Sequence, residues 1–331
     1  MWSILVHLTR NMWRPPKKAW EEGFDEETWE KIVTACGEYK INAIVLDIGD
    51  GMEYKSHPEI SLPGCWSQER MKKEIARCRE MGITIIPKLN FSTNHDTWMG
   101  EYHQMISTNT YYQVCKDLIL EVAEVFEKPE YIHLGMDEES LEFTYKDALV
   151  IIRQGETIMK DMKFLCNCVA ETGAKPWIWH SCLFEYPELF KKYFTPDEVV
   201  ISPYHYNAFK EEHFTPIDSF PETAAYYSEG KFADMNITYV EEDPFFARFH
   251  EQALPNARYG YKYVPCASVY NKCVYNHDDL VEHFRDNAPE NCVIGYMTAP
   301  WFFPVPDQLD KYIDSVKQLD AARRKFYPEE V

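Results

Sequence analysis

Eight apolar, strand-like runs alternate with amphipathic helical segments along 331 residues, and no glycine-rich phosphate loop follows any of the runs. The count and the length predict a single-domain (β/α)8 TIM barrel, and the missing phosphate loop weighs against a doubly wound open sheet.

Taken in order, Trp2–Leu8 is the first strand, and the helix after it starts at about Asp25, an N-cap residue. Trp29, Ile32, Val33 and Cys36 share one face of that helix. Ile41–Ile48 is the second strand, and the helix of residues 67–81 stops before Gly82, a helix-terminating glycine. Ile83–Asn90 is the third strand, and a long helix runs from about Thr108 to Phe126 ahead of strand Tyr131–Gly135. A helix over 146–171, broken near Gly155, leads to strand Pro176–Cys182, and Val199–Tyr206, Tyr261–Tyr270 and Cys292–Pro300 complete the set. Helices over 243–253, 278–286 and 306–324 follow the last three strands. Residues 207–242, rich in Phe, Tyr and Pro, exceed an ordinary connection and read as a loop insertion over the active face, or as an interface.

The chain is 45% hydrophobic and carries 22 Tyr and 9 Trp, enough to fill a large core and also to line a sugar-type pocket. A formal charge of −20 repels phosphate backbones, so nucleic acid is not an expected partner. No apolar run is long enough for a membrane span, and the N-terminus lacks the basic region and cleavage site of a signal peptide. Ten scattered Cys without C-x-x-C pairs read as reduced thiols, which points to a cytoplasmic location. No cofactor is expected, and an oligomer is compatible with the sequence.

Barrel chemistry gathers at the C-terminal ends of strands. Those ends here carry His7 and Arg10; Asp47 and Asp50; Lys88, Asn90 and His95; Asp137 and Glu138; Trp179 and His180; Tyr204, His205 and Tyr206; Ser268, Tyr270 and Asn271; and Met297 and Trp301. The adjacent carboxylates in YIHLGMDEES, 131–140, are the focus. Either they cap a helix, with Glu138, Glu139 and Glu142 in its first turn, or they perform acid/base work. Successive strand residues face opposite ways, so both acids enter one pocket only if the strand ends before them, and Gly135 permits that bend.

HLGMDE, 133–138, resembles the His-x-Gly-Gly-Asp-Glu signature of family 20 glycoside hydrolases, the β-N-acetylhexosaminidases. The stretches 41–60, 82–96, 7–13 and 293–301 are similar to the family's second, third, first and last strands with their loops. The resemblance implies retaining, substrate-assisted, exo-acting hydrolysis of a terminal β-linked N-acetylhexosamine from a small glycoside or glycan fragment. It implies that Asp137 orients the acetamido group and stays ionised. Glu138 is then the general acid and base with a raised pKa, and Tyr270 hydrogen-bonds the acetamido oxygen. Trp179 and Trp301 would wall the pocket, and Arg10, Asp47, His95, His180, Tyr204 and Tyr206 are substrate-binding candidates.

The sequence departs from the family pattern at Met136, where the second signature glycine stands, and at Lys88 and Asn90, where strand three carries acids. Phe302 and Phe303 follow Trp301, where the family often has a Glu, and the family's sugar-gripping arginine has no counterpart, Arg10 being a weak substitute. Other readings are the same barrel acting on a different glycoside, and a carbohydrate-binding protein on a decayed scaffold. A third is a metal-dependent barrel enzyme using His180 and His205 with Asp47 or Glu138, although no paired-ligand motif supports a metal. Asp47 and Asp50 read equally as structural loop residues, and Lys88 needs an acid partner, Asp47 or Asp137, if buried.

Overall fold

The computed structural model describes residues 1–12, 19–139, 150–206, 208, 210, 256–269 and 273–330. Its strands are β1 (Trp2–His7), β2 (Ala43–Asp47), β3 (Thr84–Lys88), β4 (Tyr131–His133), β5 (Lys175–Trp179), β6 (Val200–Ser202), β7 (Lys262–Tyr263), β8 (Cys266–Ala267) and β9 (Tyr296–Thr298). All pair in parallel, in the order β7-β6-β5-β4-β3-β2-β1-β9-β8.

That order is that of an α/β barrel whose seam falls within one chain segment. The expected continuous strand Tyr261–Tyr270 is instead two short pieces. Lys262–Tyr263 extends the ladder of β6 and Cys266–Ala267 that of β9, with Val264 and Pro265 between them. Proline has no N–H to give to a ladder, so the strand breaks there. Single bridges, Tyr204 to Cys266 and Tyr263 to Val293, span the seam, so continuous ladders do not close the ring.

Local capping chemistry starts the first three helices. Asp25 accepts from Thr28 N ahead of α1 (Glu26–Glu38), Ser67 from Arg70 N ahead of α2 (Gln68–Glu80), and Thr108 from Tyr111 N ahead of α3 (Asn109–Val125). Gly82 (φ +76) follows α2 in the left-handed conformation that ends helices. Gly155 (φ +54) stands immediately before α4 (Glu156–Glu171); residues 150–154 are not helical, so among the described residues the helix expected over 146–171 begins only after Gly155. Strand five is shorter than the expected 176–182: it stops at Trp179, and α5 (Ser181–Glu185) and α6 (Pro187–Tyr193) follow. Pro187 suits the first turn of α6 because the missing N–H would have no helical partner there. α7 (Asn276–Asn287) and α8 (Leu309–Phe326) complete the described helices. The expected insertion, apart from Ala208 and Lys210, and the helix expected over 243–253 lie outside the described residues.

The two faces of the strands separate by the period of two. Ile4, Val6, Ile44, Leu46, Ile85 and Ile132 face the helices in the main core, whereas Leu5, Val45, Ile86 and Trp177 pack with one another in a second cluster inside the curl. The register then aligns His7, Asp47, Lys88, His133 and Trp177 in one row across five strands, directly toward the strands' C-terminal ends. The interior is thus apolar below and polar above, and the site sits on that polar layer. No described helix is long and apolar enough to cross a membrane.

Candidate active site

β4 ends at His133, and the chain then makes a sharp left-handed excursion. Gly135, Met136 and Glu138 have φ values of +71, +66 and +53. The first of these needs glycine: a Cβ there would lie 1.9 Å from Asn90 Oδ1. Gly135 N–H donates to His133 Nδ1 at 3.0 Å, which ties the turn to the strand below it. A positive φ at Glu138 cannot begin a right-handed helix, so the capping alternative for these acids is overturned at its first position.

The excursion turns Asp137 and Glu138 toward one imidazole. His95 Nε2 lies 2.9 Å from Glu138 Oε2 and 3.5 Å from Asp137 Oδ2. The loop that carries His95 also fixes both acids. Asn90 Nδ2 and Ser92 Oγ donate to Asp137 Oδ1 at 3.2 and 3.0 Å, and Asn94 Nδ2 donates to Glu138 Oε2 at 2.9 Å. Ser92 and Asn94 were not singled out in the sequence, although the Ser-Thr-Asn-His run just past a strand end offered the signal.

Electrostatics distinguish the two acids. The Asp137 side chain is 4% exposed and that of Glu138 28%. Burial pushes Asp137 up from the usual carboxylate range, with the Glu138 charge adding and His95 opposing. Burial works the same way on Glu138, but the His95 hydrogen bond and charge, helped by Asn94, outweigh it and hold Glu138 below its ordinary value. Burial alone would lower His95; the Asp137 charge and the Glu138 hydrogen bond reverse that and raise it. Glu138 is thus held below and Asp137 above its ordinary value, the reverse of the order the resemblance implies.

Four aromatic side chains gather beside the acids. Trp179 meets Tyr204 edge-on at 5.4 Å and lies tilted to Trp301 at 5.7 Å between ring centroids, and Tyr204 stacks on Tyr206 at 5.4 Å. Trp301 Nε1–H donates to the Tyr206 hydroxyl at 2.7 Å. The Trp179 backbone N–H donates to Gly135 O at 2.9 Å, which sets the aromatic group beside the turn that carries the acids; burial drives the Tyr204 hydroxyl far above its ordinary value, and the Glu138 and Asp137 charges add to the effect.

The remaining candidates divide. Asp47 is a partner of Lys88, both fully buried, and lies 3.3 Å from His7 Nδ1; although burial opposes ionisation, Lys88 and then His7 pull Asp47 down to about 2. Lys88 therefore takes Asp47, rather than Asp137, as its acid. Asp50 accepts from Thr9, Arg10 N and Asn11 and so organises the loop after β1. Arg10 is 8% exposed, with its guanidinium 4.5 Å from the Phe303 ring centroid and 3.9 Å from Glu22. His180 is fully buried, accepts from Tyr204 N–H at 3.2 Å, and is lowered by burial to about 3, hence neutral. Tyr270 lies outside the described residues.

Among the described residues, the ligand atoms of His95, Asp137 and Glu138 lie within 4.8 Å of one another, a set that a divalent cation fits chemically. His180 and His205 join no such set among the described residues, which corrects the metal arrangement considered from sequence.

No protein-family model and no curated protein matches the chain. Solved structures do. A family 20 β-N-acetylhexosaminidase from Streptomyces coelicolor A3(2) is 12% identical with a TM-score of 0.63, over 96% of this chain and 63% of that one. A variant Streptomyces plicatus β-hexosaminidase in complex with its product GlcNAc is 13% identical, TM-score 0.61, over 98% and 68%. A family 20 exo-β-N-acetylglucosaminidase from Vibrio harveyi with bound N-acetylglucosamine is 14% identical, TM-score 0.61, over 97% and 53%. The chain thus has the fold of family 20 β-N-acetylhexosaminidase barrels while spanning about three fifths of the first neighbour's length.

Proposed function

We propose that this chain is a glycosidase of family 20 type, which removes a terminal β-linked N-acetylhexosamine by retaining, substrate-assisted hydrolysis. The observation that carries the reading is the meeting of Asp137 and Glu138 at His95, beside an aromatic wall of Trp179, Tyr204, Tyr206 and Trp301.

In this reading the 2-acetamido oxygen of the sugar attacks its own anomeric carbon while Glu138 gives a proton to the departing glycosidic oxygen. Asp137, backed by Asn90 and Ser92, accepts the acetamido N–H and balances the positive charge of the oxazolinium ion. Water then adds to the anomeric carbon, returning its proton to Glu138, and the ring-fused intermediate reopens to the acetamide. Glu138 must be protonated at the start. A bound sugar removes its residual exposure, which raises its pKa, and His95 stands within hydrogen-bond reach to supply the proton.

Replacing Glu138 with Gln and assaying an aryl β-N-acetylglucosaminide tests the assignment: turnover should fall at least ~100-fold with the fold retained, and full activity would remove Glu138 from the acid role. A second reading, a metal-dependent hydrolase, is favoured by the His95, Asp137 and Glu138 ligand set alone.

A further inference from the structure

Arg153, Glu139 and Asp161 form a further buried charge cluster that no step of the proposed chemistry uses. Arg153 is 2% exposed. Its guanidinium donates to Glu139 through two nitrogens, to Phe91 O at 2.8 Å and to Asp161 Oδ2 at 3.3 Å. Glu139 in turn accepts from Thr93 N and Oγ1 at 2.9 and 3.0 Å. Asp161, on α4, accepts from Ser107 and from Tyr112 of α3.

These bonds converge on the two loops of the site. Phe91 and Thr93 lie on the loop that supplies Asn90, Ser92, Asn94 and His95, and Glu139 is the next residue after the acid pair. A buried ion cluster of this kind adds little stability over a well-packed apolar one, because desolvation offsets most of the attraction. What it does supply is geometry, since the planar fork of an arginine holds a carboxylate and a carbonyl at fixed angles.

We infer that Arg153 is a positioning residue, which clamps Glu139 and the Phe91 carbonyl so that the Asp137–Glu138 turn stays in register with His95. The activity part of this inference rests on the functional reading above; the geometric part does not.

The test uses the Arg153→Met, Arg153→Lys and Glu139→Gln variants of the whole chain. Glu139→Gln keeps one of the two acceptor oxygens that Thr93 uses while removing the charge, so it serves if Arg153→Met does not fold. Folding is followed by circular dichroism, and His95 is titrated by NMR of isotope-labelled imidazole. In a folded Arg153→Met or Glu139→Gln chain the His95 midpoint should move down toward that of free imidazole. Turnover of the aryl β-N-acetylglucosaminide should fall about 100-fold with KM nearly unchanged, and Arg153→Lys should recover part of both. An unchanged His95 titration in a folded variant overturns the inference. A shifted titration in a chain whose wild type hydrolyses no N-acetylhexosaminide upholds the clamp and rejects the functional reading instead.

Discussion

His95 Nε2 and Glu138 Oε2 stand 2.9 Å apart, bringing together the strand-three and strand-four loops. Asp137 Oδ2 lies 3.5 Å from the same nitrogen, so one imidazole nitrogen faces two carboxylates. Glu138→Gln removes the acid while preserving size, and should lower turnover of an aryl β-N-acetylglucosaminide at least ~100-fold, the lower end of general acid–base contributions. Steady-state kinetics with a matched thermal melt checks this.

The same contact sets a pH dependence. His95 holds its proton more tightly in the folded chain than free imidazole does near 6.5: burial opposes the charge, but Asp137 and Glu138 outweigh burial and the repulsion from Lys88. A raised histidine adds stability that is fully present below 6.5 and is lost as pH rises through the folded value. The stability difference between wild type and His95→Asn, measured by urea denaturation, should therefore be larger at about pH 5.5 than at about pH 9.

Lys88→Met should unfold the chain more readily than an ordinary core substitution does. It would leave Asp47, 1% exposed, without its main counter-charge, and breaking a buried pair from one side costs about 3–5 kcal/mol. In the intact chain the lowered Asp47 contributes stability present above its ordinary 3.8 and lost as pH falls toward about 2. Acid-unfolding curves of the two proteins test both statements, and the variant should lose this part of the acid transition.

Gly135→Ala probes the turn itself. A left-handed alanine costs about 1–2 kcal/mol, and its Cβ would displace Asn90, which donates to Asp137. Turnover should drop at least tenfold, about the effect of 1.4 kcal/mol on a barrier. Wild-type kinetics and an unchanged melting temperature would contradict this account of the turn.

Chelation separates the acid/base reading from a metal-dependent one. His95 pairs with Glu138, and Asn90, Ser92 and Asn94 donate to the two carboxylates. Dialysis against a strong chelator should leave turnover unchanged, and recovery of lost activity by added zinc or manganese would favour the metal.

Much of the frame was legible because it is encoded locally: Asp25, Ser67 and Thr108 cap helices through bonds to residues three positions on. The split seventh strand carried a local warning too, Pro265, which the apolar run around it obscured. Pro187 likewise marks the start of a helix, and the strand extended to Cys182 overran the start of the short helix Ser181–Glu185 before it. The choice of Asp47 by Lys88 follows from parallel register, which sequence spacing does not specify. The Glu139–Arg153–Asp161 cluster joins residues through tertiary packing alone, so no motif announces it. The reversed acidities of Asp137 and Glu138 depend on where His95 points and on 4% against 28% exposure, which only the folded loops determine.

The most direct test of the central claim compares wild-type turnover of two aryl β-glycosides that differ only at C2, one with the acetamido group and one with a hydroxyl. Substrate assistance predicts hydrolysis of the N-acetylglucosaminide, with the glucoside essentially inert. Hydrolysis of the glucoside alone, or equally fast hydrolysis of both, would contradict it.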